Sequence, residues 1–177
     1  MAASPIVNSH VTLILGGARS GKSAYGEALA ESHGGALVYI ATAEARDHEM
    51  ASRIRAHRAR RGPRWTTVEE PLALGGALVR AGTADGAVLV DCLTLWLANL
   101  IEAGRDLRAE ADALLATLAT LPGAVFLVSN EVGLGIVPNN SAARDFRDHA
   151  GLLHQRIAAT AGRVLFMAAG LPLTLKG

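Results

Sequence analysis

Gly16, Gly17, Gly21, Lys22 and Ser23 stand in the run GGARSGKS, which satisfies the spacing G-x-x-x-x-G-K-S. Each residue type has a task in holding a chain of phosphates. The glycines let the backbone curl so that its N–H groups point inward at phosphate oxygens. A helix starting near Gly21 aims its positive end at the same anion. Lys22 suits the β- and γ-phosphates and is the catalytic candidate here, and the Ser23 hydroxyl suits Mg2+. Ala18, Arg19 and Ser20 complete the loop. The context agrees: Val11–Leu15 reads as a buried strand before the glycines and Lys22–Ser32 as a helix after them. A strand–loop–helix of this kind binds a nucleoside triphosphate.

A metal-side carboxylate is the next requirement. Asp91 ends the apolar run AVLVD, where P-loop enzymes place an acid that meets Mg2+ directly or through water. Asp91 also precedes the helical pattern Leu93–Ala103, so an N-cap role is open as well. Glu131, in VFLVSNEVG, is the rival carboxylate.

The second chemical stretch runs through Arg53, Arg55, Arg58, Arg60, Arg61 and Arg64, six arginines within twelve positions. On a helix advancing about 100° per residue, Met50, Ile54, His57 and Arg61 share one sector. His57 therefore lies on the apolar face, either as a core histidine or as a working one. Arginines at the start of such a helix could grip polyphosphate bidentately.

The elements that must position these residues alternate along the chain. Strands are expected at Val11–Leu15, Leu37–Ala41, Ala87–Val90, Val125–Val128 and Arg163–Met167, with weaker edge strands at Trp65–Val68 and Leu171–Leu175. Helices are expected at Lys22–Ser32, Ala45–Arg61, Leu72–Ala81, Leu93–Ala103, Leu107–Leu121 and Ser141–Ala161. Asn140 or Ser141 can cap the last. Its stripe of Phe146, Ala150, Leu153 and Ile157 reads as core, with His149 and His154 at the margin and solvated. The alternation predicts an α/β fold of P-loop NTPase, RecA-like type, a mostly parallel sheet with helices on both faces. Loops starting at Gly16, Thr42, Asp91, Ser129 and Ala168 should share the rim beyond the strand ends.

A chain of 177 residues suits one domain, with residues 1–9 as a loose extension. A formal charge of +1 gives no global pull toward nucleic acid or anionic membrane. The lone Cys92 excludes an internal disulfide and fits a reducing compartment. The N-terminus lacks a signal-peptide pattern, and the most apolar stretch, Ala87–Ile101, is broken by Asp91 and too short to span a bilayer. A cytoplasmic protein is expected. His10, His33 and His48 have no partner pattern, so no metal site rests on His or Cys.

Among P-loop classes, a regulatory GTPase would need D-x-x-G and N-K-x-D, where this chain has DCLT and SNEV. A nucleic-acid motor or binding module is disfavoured by near-neutral charge and few aromatics. A small-molecule kinase fits best. GGARSGKS, YIATA, D-x-E-M-x-x-R-I-x-x-H-x-x-R-R, W-x-T-x-E, Asp91-Cys92 and NEVGLGIVP then occur in order. Together they resemble the bifunctional adenosylcobinamide kinase / adenosylcobinamide-phosphate guanylyltransferase family of cobalamin biosynthesis, from about Val11 to the C-terminus.

The resemblance implies two reactions. ATP or GTP phosphorylates the aminopropanol hydroxyl of adenosylcobinamide. GTP then guanylylates a histidine, His57 here, and GMP passes to adenosylcobinamide phosphate to give adenosylcobinamide-GDP. It further implies nucleotide contacts from Gly16 to Ser23, from Ala41, Thr42 and Ala43, from Arg58, Ala59, Arg60 and Arg61, and from Glu69 and Asp91. Mg2+ would be held by Ser23 and Asp91, the latter standing where some relatives carry Glu. A corrinoid is the implied partner substrate, and a homo-oligomer, with a trimer as the candidate state, is the implied assembly. The alternative is a plain P-loop kinase in which His57 is structural.

Overall fold

The computed structural model describes residues 7–44, 48, 61–82 and 84–177. The expected helix Ala45–Arg61, with His57, Arg58, Ala59 and Arg60, lies outside them except for His48 and Arg61. The described elements run β1 (Asn8–Gly16), α1 (Lys22–His33), β2 (Leu37–Ala41), β3 (Trp65–Glu69), α2 (Leu74–Ala81), β4 (Ala87–Asp91), α3 (Leu93–Glu102), α4 (Leu107–Leu118), β5 (Ala124–Asn130), α5 (Ser141–Thr160), β6 (Ala161–Ala168) and β7 (Leu171–Lys176).

The strands form a seven-stranded sheet in the order β3-β2-β4-β5-β1-β6-β7. Every neighbouring pair is parallel except β6 and β7. Both weak strands are edges, as expected: a polar, half-exposed WTTVE fits the rim of a sheet better than its middle. Leu13, Leu15, Val90 and Leu127 point to one face, packed by α2 to α5. Ile14, Leu89, Val128 and Met167 point to the other, packed by α1. The central strands are buried on both sides, which is why their sequences are continuous apolar runs.

Among the described elements, two boundaries differ from expectation by three residues, the others by two or fewer. Asn8 and Ser9 belong to β1 and not to a loose extension. Asn8 is buried and pairs with Ala161, and the Ser9 backbone lies so close to Gly162 that a Cβ there would stand 2.6 Å from Ser9 Cα. Polar side chains hid this part of the strand. Helix α4 stops at Leu118 before Leu121 and Pro122, since proline disfavours helical geometry in the residue before it.

Helix α1 approaches the sheet through Gly26. A Cβ at that position would stand 2.9 Å from Leu89 Cδ1 and 3.3 Å from Ile14 Cδ1, both fully buried side chains. Gly26→Val should overpack this contact and lower stability by about 1–3 kcal/mol. Thermal unfolding would read this as a lower midpoint, and an unchanged midpoint would contradict the close approach.

Candidate active site

The parallel strands all end at one rim, and the phosphate loop follows β1 there, between β5 and β6. Gly16 has φ +151° and Gly21 φ +96°, conformations that favour glycine. A Cβ on Gly16 would lie 2.6 Å from Met167 O and 2.7 Å from Ser20 Oγ. The loop is braced from its neighbours: Glu131 N donates to Gly16 O at 2.9 Å, and Gly170 N donates to Ser20 O at 3.0 Å. Gly17, Ala18 and Arg19 are exposed at the tip, and Arg19 has φ +55°. Lys22 and Ser23 open α1. The buried Lys22 ammonium donates to Gly17 O at 2.5 Å and to Ser20 Oγ at 3.4 Å. Burial lowers its pKa, and the electrostatic influence of Cys92 and Asp91 partly opposes that.

Asp91 is held from the side. Tyr39 Oη donates to Asp91 Oδ2 at 2.9 Å. Burial and the Asp91 carboxylate push the Tyr39 phenol far above its ordinary value, so it stays a donor. Arg61, 4% exposed in its side chain, lays its guanidinium 3.5 Å from the centroid of the Tyr39 ring and stands 3.7 Å from Glu27 Oε1. Arg61 Nη2 also donates to Thr67 Oγ1 at 3.5 Å, whereas its Nε and Nη1 are buried without hydrogen bonds among the described residues. Arg61 thus reaches Asp91 through the tyrosine between them.

The N-cap reading of Asp91 does not hold. Helix α3 is capped at Cys92 with no side-chain bond, and Asp91 takes the Tyr39 hydroxyl instead. Glu131, the rival carboxylate, is engaged elsewhere: Oε1 accepts from Gly133 N at 2.6 Å and Oε2 lies 3.8 Å from His154 Nδ1.

Most of the chain falls within one described family. A profile described as "Cobinamide kinase / cobinamide phosphate guanyltransferase" matches residues 12–175. The chain belongs to this family. It is 54% identical over 167 residues to the "Bifunctional adenosylcobalamin biosynthesis protein CobP" of Pseudomonas aeruginosa, covering 93% of this chain and 96% of that one. It is 38% identical over 179 residues to the CobU protein of the same description from Salmonella typhimurium, covering 93% and 98%. The flagellar accessory protein FlaH of Methanocaldococcus jannaschii shares the fold at TM-score 0.53 and 10% identity, over 97% of this chain and 80% of that one. The architecture is that of the P-loop NTPases, RecA-like in its sheet.

In this cobinamide kinase / guanyltransferase chain, the residues inferred for the nucleotide fall into two groups. Gly16 to Ser23, Ala41, Ala43, Glu69 and Asp91 lie at the ends of β1, β2, β3 and β4, along one rim. Thr42 does not present its hydroxyl to that rim. It is 0% exposed, its Oγ1 donates to Cys92 O at 2.7 Å and accepts from Cys92 N at 2.8 Å, and Asn99 Nδ2 donates to its carbonyl at 2.8 Å. Its side chain fastens the β2 end to the β4 end.

One cluster escaped the sequence reading. His154, placed there among solvated residues, is 5% exposed, and its Nε2 lies 2.7 Å from Ser129 Oγ. Ser129 Oγ is 3.2 Å from Thr94 Oγ1, which accepts from Asn130 N at 2.7 Å. The signal was present: residue 154 falls four after Ala150 and three before Ile157, on the buried stripe. His149 is exposed as expected, and His10 meets Leu118 O at 3.0 Å.

Two outcomes test this geometry. Thr42→Val strands the buried Cys92 N–H and carbonyl, and should cost about 1–3 kcal/mol in denaturant unfolding, with GTP affinity largely retained in the folded fraction. A loss of affinity with normal stability would return Thr42 to the nucleotide. Burial lowers the His154 pKa, with Glu131 partly opposing. The unfolded chain then binds a proton that the folded chain resists, so this contribution is intact above the unfolded value near 6.5 and falls as pH drops through it. Wild type should lose stability between about pH 7 and 5 more steeply than His154→Asn, and identical slopes would refute the assignment.

Proposed function

We propose that this chain performs both activities in its family's description, phosphorylation of a cobinamide and transfer of GMP to the resulting phosphate, with His57 as the covalent carrier. The supporting observation is the family match over residues 12–175, which spans the phosphate loop and the His57 segment alike. In the kinase step the loop amides hold the donor triphosphate, and Lys22 exchanges its bonds to Gly17 O and Ser20 Oγ for phosphate oxygens. The acceptor hydroxyl attacks the γ-phosphorus and the nucleoside diphosphate leaves.

In the transfer step a neutral imidazole nitrogen of His57 attacks the α-phosphorus of GTP. The bond to the β-phosphate breaks and pyrophosphate departs. The phosphate oxygen of the cobinamide phosphate then attacks the same phosphorus, the P–N bond breaks and the histidine is regenerated. Arg58, Ala59, Arg60 and Arg61 follow His57, and the arginines would offset charge on the departing group. Arg61 reaches the site through Tyr39 and Asp91 in the geometry above.

Ser23 and Asp91 are hard oxygen donors of the kind that bind Mg2+ together with substrate phosphates. The cation bound there would neutralise phosphate charge as it develops. A corrinoid is the acceptor, and no helix among the described residues is long and apolar enough to cross a membrane.

Intact-mass measurement after exposure to GTP tests the reading. The wild-type chain should gain one GMP, stable to base and labile to acid, and His57→Ala should gain none. A wild-type chain that phosphorylates cobinamide yet never gains GMP would leave only the plain kinase.

A further inference from the structure

The rim has a second side, facing away from Lys22 and Asp91. Along β5 the side chains alternate: Val128 packs toward α1, whereas Leu127 packs toward the opposite helices. Ser129 follows Leu127 in that alternation, bonding to Thr94 of α3 and His154 of α5. Glu131, two residues on, meets the same histidine. A line of polar groups therefore runs from Asn130 N through Thr94, Ser129 and His154 to the carboxylate of Glu131.

His154 Nδ1 ends that line buried and without a hydrogen-bond partner among the described residues, 3.8 Å from Glu131 Oε2. A neutral ring that accepts from Ser129 at Nε2 carries its proton on Nδ1, the nitrogen facing the carboxylate. The other carboxylate oxygen accepts from Gly133 N, and the Glu131 backbone is tied to Gly16 O at 2.9 Å. The loop 131–140 is thus pinned at its root to the first glycine of the phosphate loop. Beyond that root it displays Leu134 and Ile136, 80% and 97% exposed, with Val132 and Val137 beside them.

We propose that His154 is a positioning residue for the acceptor: through Glu131 it fixes the loop 131–140 as the apolar wall on which the corrinoid rests beside the phosphate loop. This deepens the cobinamide reading and rests on it. The methyl-bearing edge of a corrin macrocycle matches exposed Leu134 and Ile136, and the root at Gly16 brings the acceptor's reacting arm within range of the bound triphosphate. Neither His154 nor Glu131 enters the chemistry, so the GMP-loading half-reaction, which needs no corrinoid, does not depend on them.

The test separates the two ring nitrogens. Asparagine places an amide where Nδ1 stands, and glutamine places one where Nε2 stands. His154→Gln should therefore keep the Ser129 contact, lose Glu131, and raise the KM for the cobinamide acceptor on the order of tenfold. His154→Asn should stay near wild type. Glu131→Gln, at the rim and clear of the core, should match His154→Gln. GMP loading from GTP should proceed at the wild-type rate in all three. Equal acceptor KM values across the set, or a loss of GMP loading in step with acceptor turnover, would overturn the proposal. A wild-type chain that takes up no GMP would defeat the transferase reading itself, a separate result.

Discussion

Everything at the site turns on one position with no room for a side chain. Gly16 ends β1, an interior strand, between Asn130 of β5 and Met167 of β6. Its φ of +151° turns the chain off the sheet, with Met167 O and Ser20 Oγ crowding the place a Cβ would take. Its carbonyl holds the Glu131 amide at 2.9 Å. The curl of the phosphate loop, the start of the loop after β5 and the end of β6 are therefore set by the same residue. A shift there would move three walls of the site together.

Around that centre, polar groups that cannot reach water are paired across strand ends. Thr42 bonds both the N–H and the carbonyl of Cys92, and Asn99 bonds both Thr42 O and Pro71 O. These bonds join the ends of β2 and β4 where the chain leaves the sheet. Tyr39 then aims Asp91, and Arg61 lies over a face of the same ring. Arg61 is four residues beyond His57 in sequence.

The parts legible in the sequence were those governed by local rules. The phosphate loop is a spacing of glycines with a lysine and a hydroxyl, and β2 was readable to the residue because Leu37–Ala41 is an uninterrupted apolar run between breakers. The Asn140 cap follows from its side chain, which accepts from Ala142 N at 2.8 Å. The parts that were not legible depend on partners distant in the chain. Asn8 and Ser9 look like a tail until Ala161 and Gly162 are beside them. Thr42 looks available to a ligand until Cys92, fifty positions on, takes its hydroxyl. His154 looks solvated because a polar side chain on a helix margin usually is, and only Ser129 behind it makes burial tolerable.

The position of β1 has a consequence for how the protein comes into being. This strand is made before its two sheet neighbours, β5 and β6, which lie more than a hundred residues downstream. The brace on Ser20 comes from Gly170, 150 positions later. During translation the nascent chain therefore carries a strongly apolar strand and an unsupported phosphate loop through most of synthesis. Pairings of such long sequence separation form slowly, and until they form, that strand is exposed to wrong partners. Assembly of the nucleotide site is thereby one of the last events in the maturation of the fold, although its signature motif is made well before the strands that brace it.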